Sequence, residues 1–222
     1  MSPSEMKRGA RGFDKRAAVA AALHEFWSRG FEGVSMEDLT NAMGVSRPTL
    51  YAVFGGKEAL FHHALDYYGR EQAAFYHEAL KWPTAKGVAE VLLRGALKLF
   101  SGGPNPPGCL YVTHLVARGS EMDTLRAEMK AGARVGEAAL QKRFERAVRE
   151  GDLRPGTDPA GLAYMLMALV QGLAVQASSG APRDMMERMV DAALAAWPSV
   201  ELNGAKIART SIASPGKAGK RK

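Results

Sequence analysis

Arg47, Thr49, Tyr51 and Lys57 fall within eleven positions, in the run SRPTLYAVFGGK at 46–57. A guanidinium, two hydroxyls and an ammonium at that spacing can donate to phosphate oxygens and to base edges. Wound as a helix at about 100° per residue, the run places Leu50 and Phe54 within about 40° of each other, as a buried side. Pro48, Thr49 and Ala52 lie roughly opposite, Arg47 and Tyr51 flank one edge, and Val53 flanks the other. Small outward residues let a helix approach the floor of a groove, and long donors at its edge reach the backbone.

The remaining chemistry is sparse. Cys109 is the sole cysteine, which excludes an intramolecular disulfide framework and a multi-cysteine zinc site. His114 lies five residues on, and on a helix such a pair diverges by about 140°, so a thiolate–imidazole pair is not expected. His62, His63 and Asp66 could hold a metal by spacing, yet no further histidine or cysteine lies near them in sequence. A solvated helix face is expected there, with no metal and no cofactor. Gly55-Gly56-Lys57-Glu58 lacks the earlier glycine and the Ser/Thr of a phosphate-binding loop. No Gly-x-Ser-x-Gly elbow and no Gly-x-Gly-x-x-Gly run is present. An enzyme is therefore not expected, and a helical enzyme using His114 or the His62/His63 pair is the rival from that class.

The elements that must position these residues read as helices throughout, an all-α fold of about nine. Val19, Leu23, Phe26 and Trp27 share one face of a helix over about 14–29, and Gly30 stops it. Ser35 and Asp38 form a Ser-x-x-Asp capping pattern for a short helix ended by Gly44. Ser46 caps a third helix reaching Phe54, with Pro48 in its first turn. Two short helices joined by a glycine turn, Ser35 to Phe54, have the punctuation of a helix-turn-helix. A long fourth helix is expected from Lys57 through Tyr76. Further helices are expected near 85–100, 108–118, 123–150, 158–179 and 184–196.

Residues 13–65 resemble the DNA-binding domain of the tetracycline-repressor (TetR/AcrR) family of bacterial transcription regulators. The resemblance rests on Phe26, Gly30-Phe31, Val34-Ser35, Leu39, GVSRPTLYAVF at 44–54, and Lys57 followed by Leu60. It implies an all-helical homodimer that binds a palindromic operator on double-stranded DNA. It also implies that the following domain, 66–202, dimerises and binds a small organic effector. By position in the family motif, Ser46, Arg47, Thr49, Tyr51 and Lys57 fall at DNA contacts, and Ser35 caps the preceding helix near the backbone. Met36 and Glu37 depart from the pattern, since Glu37 would repel phosphate.

Leu93, Leu97, Phe100, Tyr111, His114, Phe144, Tyr164 and Met165, with Met167, sit on helices that could enclose an effector chamber. Tyr111 and His114 are its expected polar groups, three apart and hence on one face. Residues 159–182 carry no charge over 24 positions, long enough to consider a membrane helix. Several glycines and glutamines favour a buried helix at a protein interface instead. Gly161, Ala168, Gly172, Met185 and Met189 are expected at a four-helix contact between two copies.

Net charge is +7, with 46% hydrophobic and 24% charged residues, which excludes a fibrous or fully disordered chain. Residues 1–63 net only +1 and the last twenty net +6. The charge total is thus a weak reason to expect DNA binding. Residues 1–12 and 203–222 read as basic arms, and a non-specific DNA-coating protein driven by the tail is a further rival. The basic N-terminus has no apolar stretch after it, so no secretory signal is expected. A cytoplasmic protein, nucleoid-associated when bound to DNA, is expected. A regulator of the same fold that activates, or that ignores ligands, is the nearest alternative.

Overall fold

The computed structural model describes residues 13–116 and 123–200. The basic arms expected at 1–12 and 203–222 lie outside the described residues, as does the end of the helix expected at 108–118. The first helix, α1 (Lys15–Arg29), is capped by the Asp14 carboxylate, which accepts from the backbone of Arg16 and Ala17 at 2.9 and 3.1 Å. Val19, Leu23, Phe26 and Trp27 are buried along it, as their spacing requires. α2 (Met36–Met43) and α3 (Arg47–Phe54) follow, joined at Gly44, whose backbone is left-handed at φ 66° and ψ 31°. A β-carbon is strained there, so glycine at this position sets the angle between the two helices. Both helices pin the head's core through Leu39 and Leu50, each fully buried.

α4 (Lys57–Tyr67) packs along α1. Phe26 of α1 meets Phe61 of α4 edge-to-face at 4.9 Å, and Phe31 closes the cluster on Phe61 at 5.3 Å. Each such ring pair adds about 0.5–1.5 kcal/mol beyond the area it buries.

The long fourth helix expected through Tyr76 does not form as one rod. After Tyr67 the chain widens into a π turn, Tyr68–Gln72, breaks at Ala73-Ala74 and resumes as α5 (Phe75–Leu80). The Ala73 amide donates to the Tyr68 carbonyl at 2.8 Å, the five-residue bond of a π turn. Apolar spacing cannot distinguish a π turn from an α turn. Tertiary contacts hold this one: Tyr68 is buried between Trp27 of α1, at 4.9 Å, and Cys109. Arg16 also pairs with Glu71 in the turn at 2.8 Å. The expected fourth helix is thus two, which gives ten α-helices and one π turn among the described residues.

The rest is a bundle of α6 (Ala85–Phe100), α7 (Leu110–Val116), α8 (Asp123–Arg149), α9 (Pro159–Ser178) and α10 (Arg183–Ala195). α9 lies along α8 and α6, α10 packs on α6, and α7 reaches from α8 to α1. Residues near 199 turn back beside 153 in a single antiparallel bridge, and no longer strand occurs among the described residues. α9 is long and apolar enough to cross a membrane by composition. Here Leu162, Leu166 and Leu173 are buried in the bundle.

His114 is buried in the joint between α7 and α4, only 1% exposed. Its Nδ1 lies 2.7 Å from the Leu110 carbonyl and its ring 4.8 Å from that of Phe61, while Nε2 has no partner. Burial holds its pKa below the ordinary 6.5, with the Leu110 contact opposing. The unfolded chain therefore takes the proton first as pH falls, so folding stability drops from about pH 6.5 downward. Melting temperatures from pH 7.5 to 5 should fall more steeply for the parent than for His114→Leu. Equal slopes would remove His114 from the acid response.

Candidate nucleic-acid interface

α3 is fixed by its two ends. At its start the Ser46 hydroxyl accepts from the Thr49 amide at 3.3 Å and lies 2.8 Å from the Thr49 hydroxyl. At its end Gly55 (φ 82°) donates back to the Tyr51 carbonyl at 2.9 Å. Leu50 and Phe54 anchor the inner side. The outer side presents Ser46, Arg47, Pro48, Tyr51 and Ala52, all exposed. Thr49, expected roughly opposite the buried side, is half-buried, and its hydroxyl turns back to the cap.

Tyr51 is 48% exposed. The Arg47 guanidinium sits 6.0 Å from the Tyr51 ring centroid, one turn away along the same edge. This contact holds two long donors side by side without using up their hydrogen-bonding groups. Lys57 opens α4, with its ammonium 4.4 Å from the Phe31 ring centroid. It stands at a helix start, whose dipole favours an anion.

Ser35 works mainly as a cap. Its hydroxyl donates to Asp38 Oδ2 at 2.6 Å, and its backbone amide donates to the same carboxylate at 2.8 Å. In return its hydroxyl accepts from the Asp38 amide at 3.1 Å. Arg29, 3.0 Å from Asp38, and then the Ser35 hydroxyl hold that carboxyl well below the usual carboxylate range. Of the two departures from the family pattern, Met36 packs half-buried on the core and Glu37 is exposed.

The metal and nucleophile alternatives come apart in three dimensions. His62 faces Glu128 of α8 at 3.7 Å, while the His63 ring lies 5.6 Å from that of Phe54. Cys109 lies 3.3 Å from the Tyr68 hydroxyl, and burial pushes its thiol pKa up. His114 points elsewhere, at Phe61.

A cavity of about 400 Å³ opens between the π turn, α5 to α7, α8 and α9. Of the expected lining residues, Phe100 and Tyr111 reach it, with Met167. Leu93, Leu97, His114 and Phe144 do not line it and are spent on packing in the core. Tyr164 and Met165 project outward instead, 71% and 45% exposed. Helical periodicity marks a residue as apolar-facing, but a helix packed on several sides has more than one such face. Phe75, Tyr76, Gly132, Gly136 and Gln171 also line the cavity and were missed. The readable signal was the pair Gly132 and Gly136, one turn apart in mid-helix, where glycine costs about 1 kcal/mol relative to alanine.

The residues expected between copies divide in the same way. Ala168 and Met185 are exposed, as are Tyr164, Met165 and Val175. Gly172 faces Met189 of its own chain: a β-carbon there would lie 4.0 Å from Met189 Cε. At Gly161 a β-carbon would meet the Asp158 cap at 2.7 Å. These two glycines thus also have neighbours within the protomer.

Residues 18–64 match the family described as bacterial regulatory proteins, tetR family, and residues 90–193 match the tetracyclin repressor-like C-terminal domain. The HTH-type transcriptional repressor ComR of Escherichia coli (strain K12) is 29% identical over 191 residues, 85% of this chain and 90% of that protein. A cysteine-substituted form of the TetR family transcriptional regulator CifR, solved with 26-base-pair double-strand operator DNA, superposes with TM-score 0.79 at 35% identity. That match covers 85% of this chain and 99% of the CifR chain. With a reading head and a helical bundle both matched, the chain belongs to the tetR family of bacterial regulatory proteins and is a DNA-binding transcription regulator, not an enzyme.

Proposed function

We propose that this regulator is a repressor that binds a palindromic operator as a homodimer and is released by a small organic effector. In this reading residues 13–65 read DNA, and 66–202 bind the effector and dimerise. The observation that carries it is the outer face of α3. Small residues lie at its centre, and the Arg47–Tyr51 pair stands exposed at its edge. Placed in the major groove, Arg47 and Tyr51 reach phosphate or base edge, Ser46 and Lys57 hold the backbone at either end, and Thr49 stiffens the cap. Ser35 anchors α2 across the backbone. Two copies of α3 about one DNA turn apart would read two half-sites. The cytoplasmic protein becomes nucleoid-associated when so bound.

Release follows from how the cavity is connected. Its wall includes Tyr68, which continues directly from α4 and packs on Trp27 of α1. An effector that binds more tightly to a dimer with the wrong spacing of α3 helices weakens DNA binding by that difference in affinity. The test is a gel-shift titration at fixed salt with DNA from upstream of the chain's own gene. Specific affinity should exceed that for unrelated duplex by about a thousandfold or more. Equal affinity for both duplexes would end the repressor reading.

A further inference from the structure

The cavity wall is chemically one-sided. Among the described residues lining it there is no aspartate, glutamate, lysine or arginine. Burial pushes the Tyr76 hydroxyl up to about 12, and raises Tyr68, Tyr111 and Cys109 as well, so these four stay uncharged; the lining also includes the imidazole of His77, on its exposed side. Several polar atoms are already used. The Tyr76 hydroxyl donates to the Gly136 carbonyl at 2.7 Å, and Tyr68 pairs with Cys109. The Tyr111 hydroxyl and the Gln171 amide are lining groups that make no side-chain hydrogen bond among the described residues.

The space itself is made by α8. Gly132, Gly136 and Ala139 recur at i, i+4 and i+7, so one stripe of this long helix carries almost no side chain. A β-carbon at Gly132 would meet nothing within 4 Å. The rings of Phe75, Tyr76 and Phe100 line the same cavity, with that of Tyr76 against Gly136. A charged guest would shed its hydration here without meeting a carboxylate, ammonium or guanidinium, whereas an apolar one gains by leaving water.

We propose that this cavity selects an uncharged, mostly apolar ring compound, seated between the bare stripe of α8 and these aromatic rings. Tyr111 and Gln171 supply one or two hydrogen bonds to it. This deepens, and rests on, the reading of the cavity as the effector site.

N-phenyl-1-naphthylamine is a suitable neutral probe, because its fluorescence rises in apolar surroundings. Its sulfonated analogue, 8-anilino-1-naphthalenesulfonate, adds a negative charge to the same rings, and tetraphenylphosphonium tests a lipophilic cation by displacement. The full-length dimer should bind one neutral probe per protomer. The sulfonate and the cation should each bind at least tenfold more weakly. Gly132→Phe and Ala139→Phe fill the stripe at two heights. Each should weaken the neutral probe at least tenfold while the protein stays helical and dimeric. The proposal is overturned if the neutral probe fails to bind, if either charged probe binds as tightly, or if both variants bind like the parent. Operator binding without probe is scored separately. Its loss in the parent defeats the repressor reading, whereas intact operator binding with the wrong probe preference defeats only the ligand class.

Discussion

Arg47→Ala should lower operator affinity roughly a hundredfold while leaving the dimer and its melting temperature unchanged. An arginine contact to a base edge is worth about 1–3 kcal/mol, and two-fold symmetry removes it twice. The fold is spared because Arg47 is exposed and its guanidinium lies 6.0 Å from the Tyr51 ring, a loose contact. The variant also tells base from backbone. If Arg47 reads a base edge, the loss falls mainly on the parent operator, and a changed base at that position is tolerated better. If it holds a phosphate, all duplexes weaken alike and the slope of log K against log salt falls by about one per protomer. Tyr51→Phe keeps the ring beside Arg47 and removes only the hydroxyl, so its effect should be smaller, about tenfold. If both variants bind DNA like the parent, the outer edge of α3 does not face the groove.

The head was legible because its determinants are local. Ser35 with Asp38, Gly44, Ser46 and Gly55 each set a helix end from within four residues, and all four ends form as the spacing indicates. The bundle was less legible because its determinants are not local. α6 is buried nearly all round, so Leu93, Leu97 and Phe100 look alike in sequence although only Phe100 reaches the cavity. The π turn is invisible to apolar periodicity, since its cause is Tyr68 caught between Trp27 and Cys109, 41 residues away in the chain. Tyr164 and Met165 were apolar for a reason that a single chain does not display.

That reason leads to the second large effect. Tyr164, Met165 and Val175 on α9 and Met185 on α10 are each between 45% and 71% exposed. Exposed apolar groups of this size, three of them on the charge-free stretch 159–182, mark a surface covered by protein. A two-fold axis brings a patch against its own copy, so a second chain is the cover expected for this surface. Val175→Glu should therefore convert the dimer to a monomer in sedimentation. A carboxylate would be buried without a partner on both sides of the axis, a cost of several kcal/mol for each ion. The monomer should remain helical and melt cooperatively, because position 175 is exposed in the isolated fold and contributes little to its core. Specific operator binding should then collapse toward the non-specific level, since one α3 reads only half a palindrome. Val175→Thr, similar in shape and uncharged, should stay dimeric and keep operator binding. A Val175→Glu protein that remains a dimer would move the interface to another face of the bundle. One that is monomeric yet still binds the operator at parental strength would show instead that a single reading head suffices.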